Sequence, residues 1–506
     1  MTDNVPSPDH STSLSPATLT KLRWSIWCAA ALILALRLFV PPIVGLSDQG
    51  DFARVIGRFG YAREDRATPL SAGYVTRKYV RDLNARSPGL EQPGPEYIFV
   101  GSALLLNKLV SRDGKLDIEV MGLVHAAVFL AVFARLLAVI GAAMGRSRIS
   151  VVAWILAGLA LTDVGYAAYW NSFYSEPASC IFFLLLLAES IAICTNPDSR
   201  ADRATTAQLT RWYVWAVLLV ISKPPNFPLA VVLAPFALRL GWRSEWASAR
   251  VIAVAGSLCI AIAGVASSRN FPTALGWAAT YDQIFMAILP DSKDPAADLR
   301  AFGLDARYAN YAGTGAWTPR TAFPELSANG ALARIGRTGT TAFYLRSPAR
   351  MWRRAKAFLP VAFSLRPEWC GNFEQAAGYP PGARSSAFAL WSGFHERFLG
   401  PIGKPILILL MAAPLGAIIA WKRLPLRRLP IELGALLILG CLAAFGVAAF
   451  GDAWDNVKHC FLFNLQLDVC LIATVCFFAR TDERAVTSMA ISTTATSTTA
   501  TLMARP

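Results

Sequence analysis

The sequence predicts an all-α polytopic membrane protein with about ten transmembrane helices and a mostly helical loop region on one face. Three observations carry the prediction. Of 506 residues, 55% are hydrophobic and only 16% are charged, against about a quarter charged in a soluble domain. The mean hydropathy is +0.42, and the apolar residues come in runs near the roughly 20 that cross a bilayer as a helix. The formal net charge of +15 lies in Arg and Lys spread between those runs. That excludes a basic nucleic-acid-binding domain and suits the cytoplasmic loops of a membrane protein.

Taken in order, residues 1–21 are polar, rich in Ser and Pro and without a signal-peptide pattern, and read as a disordered cytoplasmic tail. Spans follow at 24–45, 118–143, 149–168, 177–195, 251–268, 403–421, 431–450 and 460–479. The stretch 210–240 is apolar but interrupted by SKPPNFP, Ser222 to Pro228. Proline there ends one helix and starts another, which brings the total to about ten. Tyr97 to Val110 is too short to span and reads as an interfacial or re-entrant helix. The chain thus divides into an N-terminal membrane module, 22–268, with a first outer loop at 46–117. A loop or cap region, 269–400, a C-terminal membrane part, 401–480, and a second disordered cytoplasmic tail, 481–506, complete it.

Short basic segments set the orientation. They are Lys21/Arg23, Arg146/Arg148, Arg200/Arg203/Arg211, Arg239/Arg243/Arg250, Lys422/Arg423/Arg427/Arg428 and Arg480/Arg484. With about ten spans all fall on one side, so both termini are expected in the cytoplasm. The polar motifs then gather on the opposite face.

Nine cysteines show no paired framework. Eight lie in or at apolar runs, and only Cys370 is in a long polar loop, so they read as small apolar fillers. His10, His125, His395 and His459 lack metal-ligand spacing. The sequence has no GxSxG, P-loop, GxGxxG or HExxH motif. Neither a metal nor a cofactor is expected.

Four motifs carry candidate chemistry. LSDQGDF, Leu46 to Phe52, puts Asp48 and Asp51 just beyond the first span, with Arg54 close behind. They read either as a solvated loop start or as a general base at a membrane-edge cleft. YWNSFYSEP, Tyr169 to Pro177, links two spans. Glu176 suits the dipole of the helix that follows, or else joins Asn171 and Tyr174 in the same cleft. SKPPN places Lys223 at a break between short helices, where it snorkels to the interface or binds a phosphate. GDAWDNVKH brings Asp452, Asp455, Lys458 and His459 to the start of the last span, a plausible phosphate site. Asp163 and Asp468 fall inside apolar runs, where an acid needs a partner or water.

The region 269–400 is expected to form a helical cap, either shaping an acceptor site or plugging the cleft. FYLRSPARMWRRAKAFL, Phe343 to Leu359, interleaves arginines with apolar residues and suits the headgroup layer.

In order, SDQGDFARV, YWNSFYSEP, SKPPNFPLA, YDQIFMAIL, RAFGLD, YAGTGAW, FYLRSPAR, RPEWCGNFE and KHCFLFNLQLD are scattered between residues 47 and 468. Together they resemble the GT-C class of integral-membrane glycosyltransferases. More narrowly, they resemble bacterial hexosyltransferases of surface-glycan and S-layer glycan biosynthesis. The resemblance implies a GT-C-like fold and inverting transfer of a hexose. The donor would be a polyprenyl-phosphate sugar, and the acceptor a hydroxyl of a glycan or lipid-linked molecule. The work would be done in contact with membrane lipid, on the periplasmic face of a bacterial inner membrane. It implies Asp51 as base, with Asp48 the second choice. Arg54, Lys223, Lys458 and His459 would bind the donor phosphate, and Asn171, Tyr174, Glu176 and Asp452 the sugar or acceptor. The rival readings are a flippase or transporter for lipid-linked sugars and an envelope glycan polymerase or ligase.

Overall fold

The computed structural model describes residues 14–86, 89–145, 147–195, 202–242, 247–424 and 427–479. His10, Arg146, Arg200, Arg243, Arg480, Arg484 and the expected tail at 481–506 lie outside the described residues, as does the side chain of Arg203.

The first helix, α1 (Pro16–Phe39), begins earlier than expected, so residues 16–21 are helix and not tail. The Ser15 hydroxyl accepts the Thr18 amide N–H at 3.1 Å, and Pro16 sits in the first turn, where its missing N–H costs nothing. The sequence signals only the short helix Tyr97 to Val110 within the first outer loop, and the structure adds strands. They form a small antiparallel sheet of β1 (Tyr61–Arg63), β2 (Lys78–Arg81) and, after a helix, β3. That helix, α2 (Glu96–Val110), has 15 residues, about 22 Å, and cannot cross a hydrocarbon layer of about 30 Å. β3 (Leu116–Asp117) then pairs with β2, Lys78 opposite Asp117.

The chain continues through α3 (Ile118–Met144), α4 (Arg148–Leu161) and α5 (Val164–Ala167). Next come α6 (Glu176–Thr195), α7 (Asp202–Ser222), α8 (Leu229–Trp242) and α9 (Ala247–Arg269). The cap holds α10 (Thr273–Asp282), α11 (Pro295–Ala301), α12 (Phe323–Ala328), α13 (Ala331–Arg346), α14 (Pro348–Ala362) and α15 (Leu390–Phe394). α16 (Gly403–Arg423), α17 (Arg428–Phe450), the one-turn α18 (Asn456–His459) and α19 (Phe461–Ala479) close the bundle.

Among the described residues, seven helices are long and apolar enough to cross a membrane: α1, α3, α6, α9, α16, α17 and α19. An eighth forms if α4 and Val164–Trp170, which meet at 49°, count as one bent span. This is fewer than the ten expected. The difference lies in the broken stretch: α7 starts with polar turns, and α8 has only 14 residues. Both nonetheless pack on α9, and α7 also on α6. The protein is therefore an all-α polytopic membrane protein. α3, α6 and α19 are the most buried of these spans, whereas α1 and α16 turn most of their surface outward.

The cap has its own core, with Tyr281, Phe285, Leu299, Leu326 and Leu332 buried together. It is joined to the bundle by α14, whose Phe358 and Leu359 pack with Phe445 and Phe463.

Candidate active site

Within LSDQGDF the two acids have different tasks. Asp48 Oδ1 accepts the amides of Gly50 at 2.7 Å and Phe52 at 3.1 Å, closing the turn on itself. Gly50 takes φ 98°, which glycine adopts without strain. The turn directs the next acid, Asp51, to a cavity of about 800 Å³, while Asp48 is not among its lining residues.

Neighbouring motifs hold this loop. The Tyr174 hydroxyl donates to the Ser47 carbonyl at 2.9 Å. The Asn372 amide donates to the Gly45 carbonyl at 2.9 Å, and the backbone of 371–373 bonds Gly45, Ser47 and Val75. Asn171, expected to touch sugar or acceptor, instead lies fully buried. Its amide donates to the carbonyls of Leu38, at 3.0 Å, and Val44, at 2.8 Å, where α1 ends. A Cβ on Gly122 would come within 1.9 Å of the Asn171 Oδ1, so a glycine is needed for that approach.

The charged side of the cavity is a chain of ion pairs. Asp51 pairs with Arg54 at 2.8 Å and with Lys458. Lys458 also pairs with Asp455, and its ammonium stands 4.6 Å from the Tyr174 ring centroid. Asp455 takes φ 54°, a left-handed conformation that aspartate tolerates better than most residues. Lys223, at the SKPPN turn, pairs with Glu176 at 2.6 Å. Asn226 fixes that turn by donating to Ser179, Ser222 and the Leu219 carbonyl. The cations expected to wait for a phosphate are thus already neutralised by carboxylates, and one face of Tyr174 is covered by Lys458.

These contacts set the protonation states. Burial would raise the Asp51 carboxyl, but Lys458 and Arg54 outweigh it and hold it well below the usual carboxylate range. Burial lowers the Lys458 ammonium, yet Asp455 and Asp51 bring it well above its ordinary value. Burial, with Lys223 and Lys458 nearby, holds His459 far below the ordinary imidazole value. His459 lies 3.8 Å from Asp452. Burial pushes Asp452 up to about 6. Deeper in the cap, burial and then Asp452 push Asp282, whose carboxylate accepts the Ala316 amide at 2.7 Å, up to about 8.

Much of the remaining lining is apolar. Thr341, Ala342 and Leu345 of α13 form one stripe, and Ala443, Gly446, Val447 and Phe450 of α17 another. Both follow helical spacing, so each helix shows the cavity a single face. Phe227, Phe271 and Leu275 also line it.

A family model described as the YfdI N-terminal transmembrane domain matches residues 12–495. The chain belongs to this family. No curated protein matches it. Among solved structures, the Archaeoglobus fulgidus oligosaccharyltransferase in its apo form aligns over 92% of this chain and 52% of its own, at 13% identity and a TM-score of 0.36. The Archaeoglobus fulgidus oligosaccharyltransferase AglB, in complex with an inhibitory peptide and a dolichol-phosphate, aligns over 93% of this chain and 52% of its own, at 12% identity and a TM-score of 0.40. The chain spans about half the length of these structures.

In this family member the structure brings Asp51, Arg54, Tyr174, Glu176, Lys223, Asp452, Lys458 and His459 to one cavity and leaves out Asp48 and Asn171. It adds Asp455, Trp317 and Trp454, which stood in quoted motifs, and Arg337, which no motif signalled. The two acids inside apolar runs prove to be structural. Asp163 accepts the backbone amides of Gly165, Trp391 and Ser392 at 2.8, 2.8 and 3.0 Å. Asp468 accepts the Tyr166 hydroxyl at 2.7 Å and bonds His395 Nε2 at 2.6 Å. Each acid is engaged in holding the cap to the bundle.

Proposed function

We propose that this protein is a membrane glycosyltransferase with a GT-C-like fold. It moves a hexose from a polyprenyl-phosphate-linked donor to a hydroxyl of a cell-surface glycan or lipid-linked acceptor, on the periplasmic face of a bacterial inner membrane. One observation carries this reading. The Asp51 carboxylate pairs with Arg54 and Lys458 on the wall of a cavity whose lining combines charged groups with a larger set of apolar ones. Such a cavity matches a donor made of a sugar phosphate and a hydrocarbon chain.

In this reading Asp51 accepts the proton of the acceptor hydroxyl as its oxygen attacks the anomeric carbon. The bond from that carbon to the phosphate oxygen breaks, the phosphate leaves with the electron pair, and a single displacement inverts the configuration. Arg54, Lys458 and Lys223 stabilise the departing phosphate. A carboxylate held tightly by two cations is a weak base. The donor phosphate, competing for Arg54 and Lys458, restores the basicity of Asp51 when substrate is present. Asp452 and Glu176 are placed to orient sugar or acceptor hydroxyls, and Asp48 supports the turn. No observation favours the transporter, whose candidate acids Asp163 and Asp468 are fully engaged in holding the cap.

The test is hexose transfer in proteoliposomes from radiolabelled undecaprenyl-phosphate sugars to a surface-glycan acceptor extract. Asp51→Asn should lose about a hundredfold or more, while Asp48→Asn, which keeps a capping oxygen, retains most activity. Transfer only from a lipid-diphosphate oligosaccharide would move the protein to the polymerases or ligases. Label that crosses the bilayer without transfer would reject the enzyme reading.

A further inference from the structure

The carboxylates lining the cavity leave one cation over. Arg54, Lys223 and Lys458 each have a carboxylate partner. Arg337, which lines the same cavity, has none within ion-pair distance among the described residues. Its guanidinium carbon stands 4.6 Å from the Phe271 ring centroid and 5.9 Å from that of Phe227. Its one hydrogen bond among those described is Nη2 to the Ser268 carbonyl, at 3.3 Å, although a guanidinium has five N–H donors. Partial burial lowers its pKa, the mark of a cation that has lost water without gaining an anion.

Its placement is built into the fold. Gly336 takes φ 56° and interrupts α13 immediately before it. A side chain at that residue would strain the backbone. The break sets Arg337 between the aromatic rings at the start of α8 and α10 and the apolar stripe of its own helix. Thr338 and Thr341 line the cavity next to it. An arginine with no carboxylate partner and most of its N–H donors unused, next to hydroxyls and hydrocarbon, suits a phosphate attached to a long apolar chain.

We propose that Arg337 binds the phosphate of the lipid-linked ligand and seats its hydrocarbon chain along the apolar wall. This rests on the reading above that the cavity takes a lipid-linked donor. Arg337 does so without displacing any carboxylate, so it engages the phosphate before the Asp51–Arg54–Lys458 group opens.

The experiment measures binding of radiolabelled undecaprenyl phosphate to the full chain in phosphatidylcholine nanodiscs. Unlabelled undecaprenol, inorganic phosphate and phosphatidylglycerol serve as competitors. Wild type should bind, and Arg337→Gln should weaken binding at least about tenfold, the loss of one charge-assisted contact. Arg337→Lys should fall between them with an unchanged melting temperature, because lysine keeps the charge but loses the planar fork. It also keeps the test valid if the glutamine variant folds poorly. Undecaprenol and inorganic phosphate should each compete weakly, since each supplies half of the ligand. Equal binding by wild type and both variants would overturn the role of Arg337 and leave the glycosyltransferase reading standing. Absence of binding by wild type would remove both. Phosphatidylglycerol competing as well as undecaprenyl phosphate would overturn the assignment to the donor.

Discussion

Lys458 and Asp51 lie 407 residues apart in sequence and form an ion pair on the wall of the cavity. Lys458 is 4% exposed and holds Asp455 as well, so one ammonium neutralises two carboxylates. Removing one partner of a buried pair costs about 3 kcal/mol or more, because the remaining charge is left without compensation. Lys458→Met should therefore lower stability by about that amount, read as reduced melting temperature in detergent. The double variant Lys458→Met/Asp51→Asn should recover at least about 1 kcal/mol of it. Additive losses would mean that the pair contributes nothing.

Asp282 sets an opposite dependence on pH. It is buried and raised to about 8, so the folded state keeps its proton where the unfolded state releases it. Between about pH 4 and 8 the folded chain binds more protons, and stability falls as pH rises through that window. Asp282→Asn, which is never charged, should flatten the fall and be more stable than wild type at pH 9. Melting temperatures from pH 5 to 9 decide this, and parallel curves for the two proteins would refute it. Asp51 contributes in the reverse sense: its depressed value gives stability that is complete above about pH 4 and lost only as pH falls further.

Asp163 accepts two backbone N–H groups of the cap, from Trp391 and Ser392, and a third from Gly165 at the start of α5. Asp163→Leu would strand these buried donors, at about 1–3 kcal/mol each. The expected outcome is a large loss of thermal stability and faster proteolysis near Trp391. If Asp163 were instead a transport residue, the variant would keep its stability and lose function alone.

Much of the fold was legible because hydropathy is a local property. The seven long spans coincide with the apolar runs, and the break at SKPPN was visible from its prolines. The helices on either side of that break do not both qualify as spans, because α7 begins with polar turns and α8 has only 14 residues. The sheet of the first loop went unseen because strands of three, four and two residues carry no usable alternation. The motifs located the cavity by chain order, since most mark the same end of successive helices. They could not separate Asp48 from Asp51, because the choice depends on where a glycine turn aims each side chain. Nor could they show that Asn171 is occupied with α1 backbone carbonyls, or that Arg337 differs from the many arginines around it.

The sequence by itself determined a polytopic helical membrane protein whose polar motifs gather at one end of its bundle. That follows from runs of apolar residues, which must bury their backbone hydrogen bonds in helices wherever they sit. Only the tertiary structure decided which acid faces the cavity, which of its cations pair with carboxylates and which, among the described residues, does not. Ion pairing depends on distances of a few ångströms between residues hundreds of positions apart, and packing of the whole chain sets those distances.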